Sequence, residues 1–180
     1  RIPVRSIPLT LGGAALHNVQ NALAAALVAR ALGFTGENIR DGLVSLLPNV
    51  EDSRGRSNLY EVDNKYLLLD FAHNPGGLKM MAELSRRWPK GGRYFLMGQA
   101  GDRNHDLVAE LAQEAVAIGL DGVVVKNLSG HAYERDPNEV AQCQVEALYK
   151  AGQKEGTVTH IPDEVDAAVA LIDMAPEKSL

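Results

Sequence analysis

From residue 58 to the end, short runs of β-branched and other apolar residues alternate with stretches of strong helix formers. No other feature narrows the fold as much. The runs fall at 58–62, 65–71, 93–98, 122–126 and 157–161, with helical stretches at 76–88, 106–118, 137–151 and 163–174. A strand followed by a helix of about three turns, repeated, predicts βαβ units. The expected architecture is therefore α/β and Rossmann-like, a mostly parallel sheet with helices on both faces. The first two runs flank Asp63-Asn64 and read as a hairpin-like pair. Tyr66-Leu67-Leu68-Leu69-Asp70 is continuously apolar up to its closing acid, the pattern expected of a central strand buried on both faces.

The preceding residues have a different texture. Residues 1–16 hold Pro3, Pro8 and Gly12-Gly13 among β-branched residues and read as extended chain or loop. Asn18 then opens an alanine-rich helix that stops at Gly33, and its small side chains suit close packing against another backbone. A shorter helix is expected over 37–47, ended by Pro48. The one boundary signal lies between Pro48 and Ser57, where an α-rich segment hands over to the α/β body.

Composition excludes several classes. Eighteen Lys+Arg against 23 Asp+Glu leave a net charge of −5, which argues against a nucleic-acid clamp. No apolar run reaches the ~20 residues needed to cross a bilayer, so a cytoplasmic, membrane-free protein is expected. The lone Cys143 rules out an internal disulfide and a multi-thiolate zinc site, and its mid-helix setting suggests a buried small apolar residue. Arg1 stands where an initiator Met would be, so the chain is expected to be part of something longer.

Ligands of such sheets bind beyond the carboxyl ends of the strands. After the 65–71 run comes Asp70-Phe71-Ala72-His73-Asn74-Pro75-Gly76-Gly77. Asp70 suits ribose hydroxyls, a metal-bound water or the cap of the coming helix. His73 and Asn74 suit a phosphate or polar substrate at a helix N-terminus. The next loop, Gly98 to Asp106, offers Gly101 for close backbone approach and Asp102 with Arg103 as an ion pair, or plain turn chemistry. Asn18 and Asn21, three apart, can share a helix face and read a heterocycle, or cap the helix. Arg54-Gly55-Arg56 suits phosphate or solvent. His131 and Arg135 stand in the third βα loop as substrate contacts, and His160 reads as structural.

The order of these motifs carries more than any one of them. His17-Asn18-x-x-Asn21-Ala22-Leu23-Ala24-Ala25, Gly55-Arg56-Ser57-Asn58-Leu59, Asp70-Phe71-Ala72-His73-Asn74-Pro75 and Gly98-x-x-Gly101-Asp102-Arg103 together resemble the Mur ligase superfamily. The likeness runs from about His17 onward and is strongest to the cyanophycin synthetase branch. Folylpolyglutamate synthetases share the Ala-His-Asn-Pro core. The resemblance implies that residues 1–50 are the end of a central ATPase domain and 51–180 a C-terminal α/β domain. It implies an ATP- and Mg²⁺-dependent amide ligase in which a carboxylate is phosphorylated and an amine then attacks the acyl phosphate.

By the same resemblance, Asn18 and Asn21 lie by the adenine, Arg56 reaches the phosphates and Asp70 binds the ribose. His73 and Asn74 are implied to face the nucleotide–substrate cleft as catalytic residues. Gly101, Asp102, Arg103, His131 and Arg135 are implied to place an incoming amino acid or peptide amine. Two departures stand beside this. The phosphate loop Gly-x-x-Gly-Lys-Thr/Ser does not occur in the chain, which alone is expected not to turn over ATP and to need the remaining domains of a longer ligase. The third loop, 127–137, lacks the Asp-Asn-Pro-Arg of diaminopimelate- and lysine-adding enzymes. The rival reading is a free-standing nucleotide- or metabolite-binding module without catalysis. A phosphatase using Asp70 as nucleophile is disfavoured by Ala72, where a second Asp is expected.

Overall fold

The computed structural model describes residues 1–87, 91–128 and 130–180. The expected last residue of the helix after Pro75, Trp88, and Ser129 in the third βα loop lie outside the described residues. The chain divides into two compact units, residues 1–60 with 67–71, and residues 61–66 with 72–180.

In the first unit, residues expected as extended chain or loop form two 3-10 turns, Val4–Ser6 and Pro8–Gly13. The buried Thr10 explains the difference: its hydroxyl lies 2.9 and 2.8 Å from the carbonyls of Val4 and Ile7 and folds the segment back on itself. Helix α1 (Leu16–Ala31) follows, with Leu23, Leu27, Val28 and Leu32 beyond its end all exposed. Helix α2 (Gly36–Ser45) starts where Thr35 Oγ1 accepts from Asn38 N. A single turn, α3 (Val50–Ser53), is capped by Asn49.

Strands β1 (Asn58–Val62) and β2 (Lys65–Leu69) form a two-stranded sheet. Both residues of the intervening Asp63-Asn64 turn have positive φ, 50° and 61°, as a tight two-residue hairpin requires. The expectation that β2 is a central strand of the parallel sheet is corrected. Leu69 is 47% exposed, and the edge of the parallel sheet at β3 (Tyr94–Gly98) is taken by the C-terminal residues. Leu180 N donates to Gly92 O and Tyr94 N to Leu180 O, while Tyr66 N donates to Ser179 O. An unbroken apolar run does not reveal which strand it will pair with.

In the second unit, β3, β4 (Gly122–Lys126) and β5 (Val158–His160) pair in parallel in that order. The strand period of two sends Val123 and Val125 to one face and Val124 to the other, and all three are fully buried. Val123 and Val125 pack against Leu78 of α4 (Pro75–Arg86), Leu111 and Ala115 of α5 (His105–Val116), and Leu148 of α6 (Pro137–Lys150). Val124 meets Ala167 and Leu171 of α7 (Glu164–Met174). Burial of each valine contributes roughly 1.5–3 kcal/mol. The parallel sheet is thus covered on both faces, as expected. Each helix of this unit starts with an Asx cap (Asn74, Asn104, Asp136, Asp163), which places their N–H ends after the preceding strands. Among the described residues no helix is long and apolar enough to cross a membrane.

Candidate functional site

The strand-end acid organises a corner of the first unit. Asp70 does not cap α4; Asn74 does, accepting from Gly77 N at 2.8 Å. Asp70 Oδ2 instead accepts from Ser57 N at 2.8 Å and from Ser57 Oγ at 3.2 Å. Ser57 is fully buried, with φ 51°, a conformation costly for any residue with a Cβ. On its other side Ser57 Oγ lies 3.1 Å from His17 Nε2. Phe71 N donates to Gly55 O at 2.9 Å, and the Arg56 guanidinium stands 5.2 Å from the Phe71 ring centroid. A carboxylate and a guanidinium are thereby stitched into one corner.

The basic loop hangs on Asn58, which is 1% exposed. Its Nδ2 donates to the carbonyls of Asn49 at 3.0 Å and Ser53 at 2.8 Å, and its Oδ1 accepts from Gly55 N at 2.7 Å. Asn18 and Asn21 occupy the first two turns of α1, whose start carries no side-chain cap, so the capping alternative for them is corrected. Asn18 Nδ2 donates to Leu9 O at 2.8 Å, and Asn21 Nδ2 to Asn18 Oδ1 at 3.3 Å. The free heteroatoms of the pair are therefore carried mainly by Asn21, which is exposed.

Burial pushes the His17 imidazole below its ordinary value of 6.5, and the opposing pull of the Asp70 charge is the smaller effect. A lowered folded-state value means that the unfolded chain takes up the proton first. Stability is then retained above about pH 6.5 and lost as pH falls below it. Denaturant unfolding at pH 7.5 and 5.5 should show this loss in the wild type. His17→Gln should show a smaller one, and equal losses would contradict the burial effect.

In the second unit, His73 and the cap residue Asn74 are exposed at the start of α4. The loops after β3 and β4 are joined: Gly101 N donates to His131 O at 2.9 Å. Asp102 Oδ1 and Arg103 Nε pair at 3.7 Å, both partly exposed. Arg135 turns its Nη2 to Cys143 Sγ at 3.4 Å, so the thiol is half-buried beside a cation and not a purely apolar filler. His160 Nε2 lies 2.9 Å from Asn127 Oδ1, and Asn127 Nδ2 donates to Asn138 Oδ1 at 3.0 Å. No group of three or more His, Cys, Asp or Glu side chains that could hold a metal ion comes together among the described residues.

Ser57, His17 and Asn58 were missed as site-building residues by residue type and spacing. Their signal was limited to a turn-rich Gly-Arg-Ser-Asn run, because the partners lie 13, 40 and up to nine residues away.

Comparison with known proteins shows the family to which the chain belongs. The family model "Mur ligase, glutamate ligase domain" matches residues 55–180. Cyanophycin synthetase of Nostoc sp. (strain PCC 7120) is 33% identical over 181 residues, covering 97% of this chain and 19% of that protein. UDP-N-acetylmuramoyl-L-alanyl-D-glutamate--2,6-diaminopimelate ligase of Geobacillus thermodenitrificans is 31% identical over 163 residues, 90% of this chain and 31% of that protein. The structure of E. coli FolC in complex with ADP superposes with a TM-score of 0.68 at 22% identity, covering 88% of this chain and 34% of that one. The chain thus spans about a fifth of the length of the cyanophycin synthetases it matches. With seven-tenths of its length inside the family model and the motif order kept, the chain belongs to the Mur ligase family and carries its glutamate ligase domain.

Proposed function

We propose that this chain is the C-terminal portion of an ATP-dependent amide ligase, with residues 1–50 closing its central ATPase domain and 51–180 forming the C-terminal domain. The supporting observation is the Asp70–Arg56 corner. It sets one carboxylate, suited to ribose hydroxyls, beside one guanidinium, suited to phosphate, on a loop fixed by the buried Asn58. The γ-phosphoryl group passes from ATP to a substrate carboxylate, giving an acyl phosphate and ADP. An amine nitrogen then bonds to the carbonyl carbon, phosphate leaves, and the nitrogen gives up a proton.

Asn21 and Asn18 border the adenine in this reading. His73 and Asn74 face the reacting groups, and the joined loops bearing Gly101, Asp102, Arg103, His131 and Arg135 receive the amino acid or peptide amine. The exposed apolar side chains of α1 suit cover by the remaining domains of the ligase. The described residues bring no metal-binding group together, so no step is assigned to Mg²⁺ on this chain. The test is ADP release by the intact gene product, assayed across a panel of carboxylates and amines. Release that depends on an amine acceptor supports the ligase. Nucleotide binding with no acceptor-dependent turnover leaves the binding module.

A further inference from the structure

We infer that Ser57 and His17 are positioning residues that hold Asp70 in the orientation that receives a pair of nucleotide hydroxyls. The inference rests on the proposal that Asp70 meets the ribose. Both hydrogen bonds made to Asp70 end on Oδ2, from Ser57 N and Ser57 Oγ. Oδ2 is thereby saturated on the protein side, and Oδ1 is left as the acceptor for a ligand. A carboxylate held by two donors on one oxygen cannot rotate about its χ2 without losing both.

Proton bookkeeping extends the chain to His17. The Ser57 hydroxyl hydrogen goes to Asp70, so Oγ accepts from its other neighbour, His17 Nε2, 3.1 Å away. His17 is then the tautomer protonated at Nε2. Its Nδ1 is buried with no hydrogen-bond partner, a tolerable state for a bare lone pair and a poor one for an N–H. The ring serves as a fixed neutral donor and not as a base. Ser57 reaches both partners from the left-handed region at φ 51°, where a serine persists when its surroundings demand it.

The test compares ATP with 2′,3′-dideoxy-ATP in acceptor-dependent turnover by the intact gene product. The wild type should prefer ATP by about tenfold to a hundredfold in kcat/KM, the range for hydrogen bonds to a charged group. Ser57→Gly suits the positive φ without strain, keeps the backbone N–H and removes the hydroxymethyl side chain with its Oγ. Its preference should fall to within about threefold of unity, with turnover of dideoxy-ATP near the wild-type level. His17→Leu should lose at least threefold of the preference, and His17→Gln, which keeps a donor, should restore it. A purely structural role would weaken both nucleotides equally, and that result overturns the inference. So does a Ser57→Gly variant with the full wild-type preference, which would leave the ribose assignment standing. A wild type with no preference removes the ribose assignment and the inference together.

Discussion

Asp70→Ala should lower kcat/KM for ATP by about a hundredfold or more, while Asp70→Asn should cost about tenfold. Two losses follow in the alanine variant. The first is the hydrogen bonding of a charged oxygen to ligand hydroxyls, ~1.5–3 kcal/mol. The second falls on the protein: Ser57 N–H, on a fully buried residue, is left without its acceptor at ~1–3 kcal/mol. At 1.36 kcal/mol per decade, the upper end of the first loss alone reaches two decades, while the second is present with and without nucleotide and lowers stability. Asparagine keeps an oxygen for Ser57 N and turns a neutral amide N–H toward the ligand hydroxyls, whose oxygens can accept from it, hence the smaller effect. The second loss belongs to stability, so melting temperatures should be read beside the kinetics. Unchanged turnover in the alanine variant would sink the assignment of Asp70, whichever ligand it was thought to hold.

The contrast between Asp70 and Asn74 shows two limits of sequence reasoning. The sequence reading assigns the cap to Asp70, although Asn74 directly before Pro-Gly-Gly carries the local signal: the cap, the Pro at the first helical position and the N–H it satisfies lie within four residues. The Asp63-Asn64 turn is legible for the same reason, since both residues tolerate positive φ. The βα alternation and the doubly covered parallel sheet follow from periodicity alone. Asp70 depends instead on a serine 13 residues upstream, in a backbone conformation that no propensity assigns to serine. The place of β2 was equally out of reach. What excludes it from β3 is a pairing made by residues 179–180, over 80 positions from Tyr94. The order of the motifs, by contrast, pointed to the family that the comparisons show.

Gly101→Ala should separate the two loops after β3 and β4, with the larger consequence for the amine side of the reaction. A Cβ at residue 101 would fall on the carbonyl oxygen of Ala132 and within 2.8 Å of its carbonyl carbon. These are backbone atoms with no rotamer to give. The Gly101 N to His131 O bond, 2.9 Å long, must then stretch or break. Overpacking of this kind costs typically ~1–3 kcal/mol, which for a chain of this length lowers Tm by about 3–10 °C. Gly76→Ala is the control in the same unit, because its Cβ would meet nothing closer than Asn74 Oδ1 at an ordinary 3.5 Å. That variant should melt at or slightly above the wild-type temperature, alanine being the better helix former. Kinetics carry the sharper discrimination. The clash strains the joined loops that carry Asp102, Arg103, His131 and Arg135, and none of the hydrogen bonds that hold Asp70 to Ser57 is made by a residue of those loops. In the intact gene product KM for the amine acceptor should therefore rise about tenfold, the share of one charge-assisted contact, while KM for ATP stays within about twofold. A KM for ATP that rises in step with that for the amine would remove the amine from these loops, because the substitution would then be acting on both substrates through the fold.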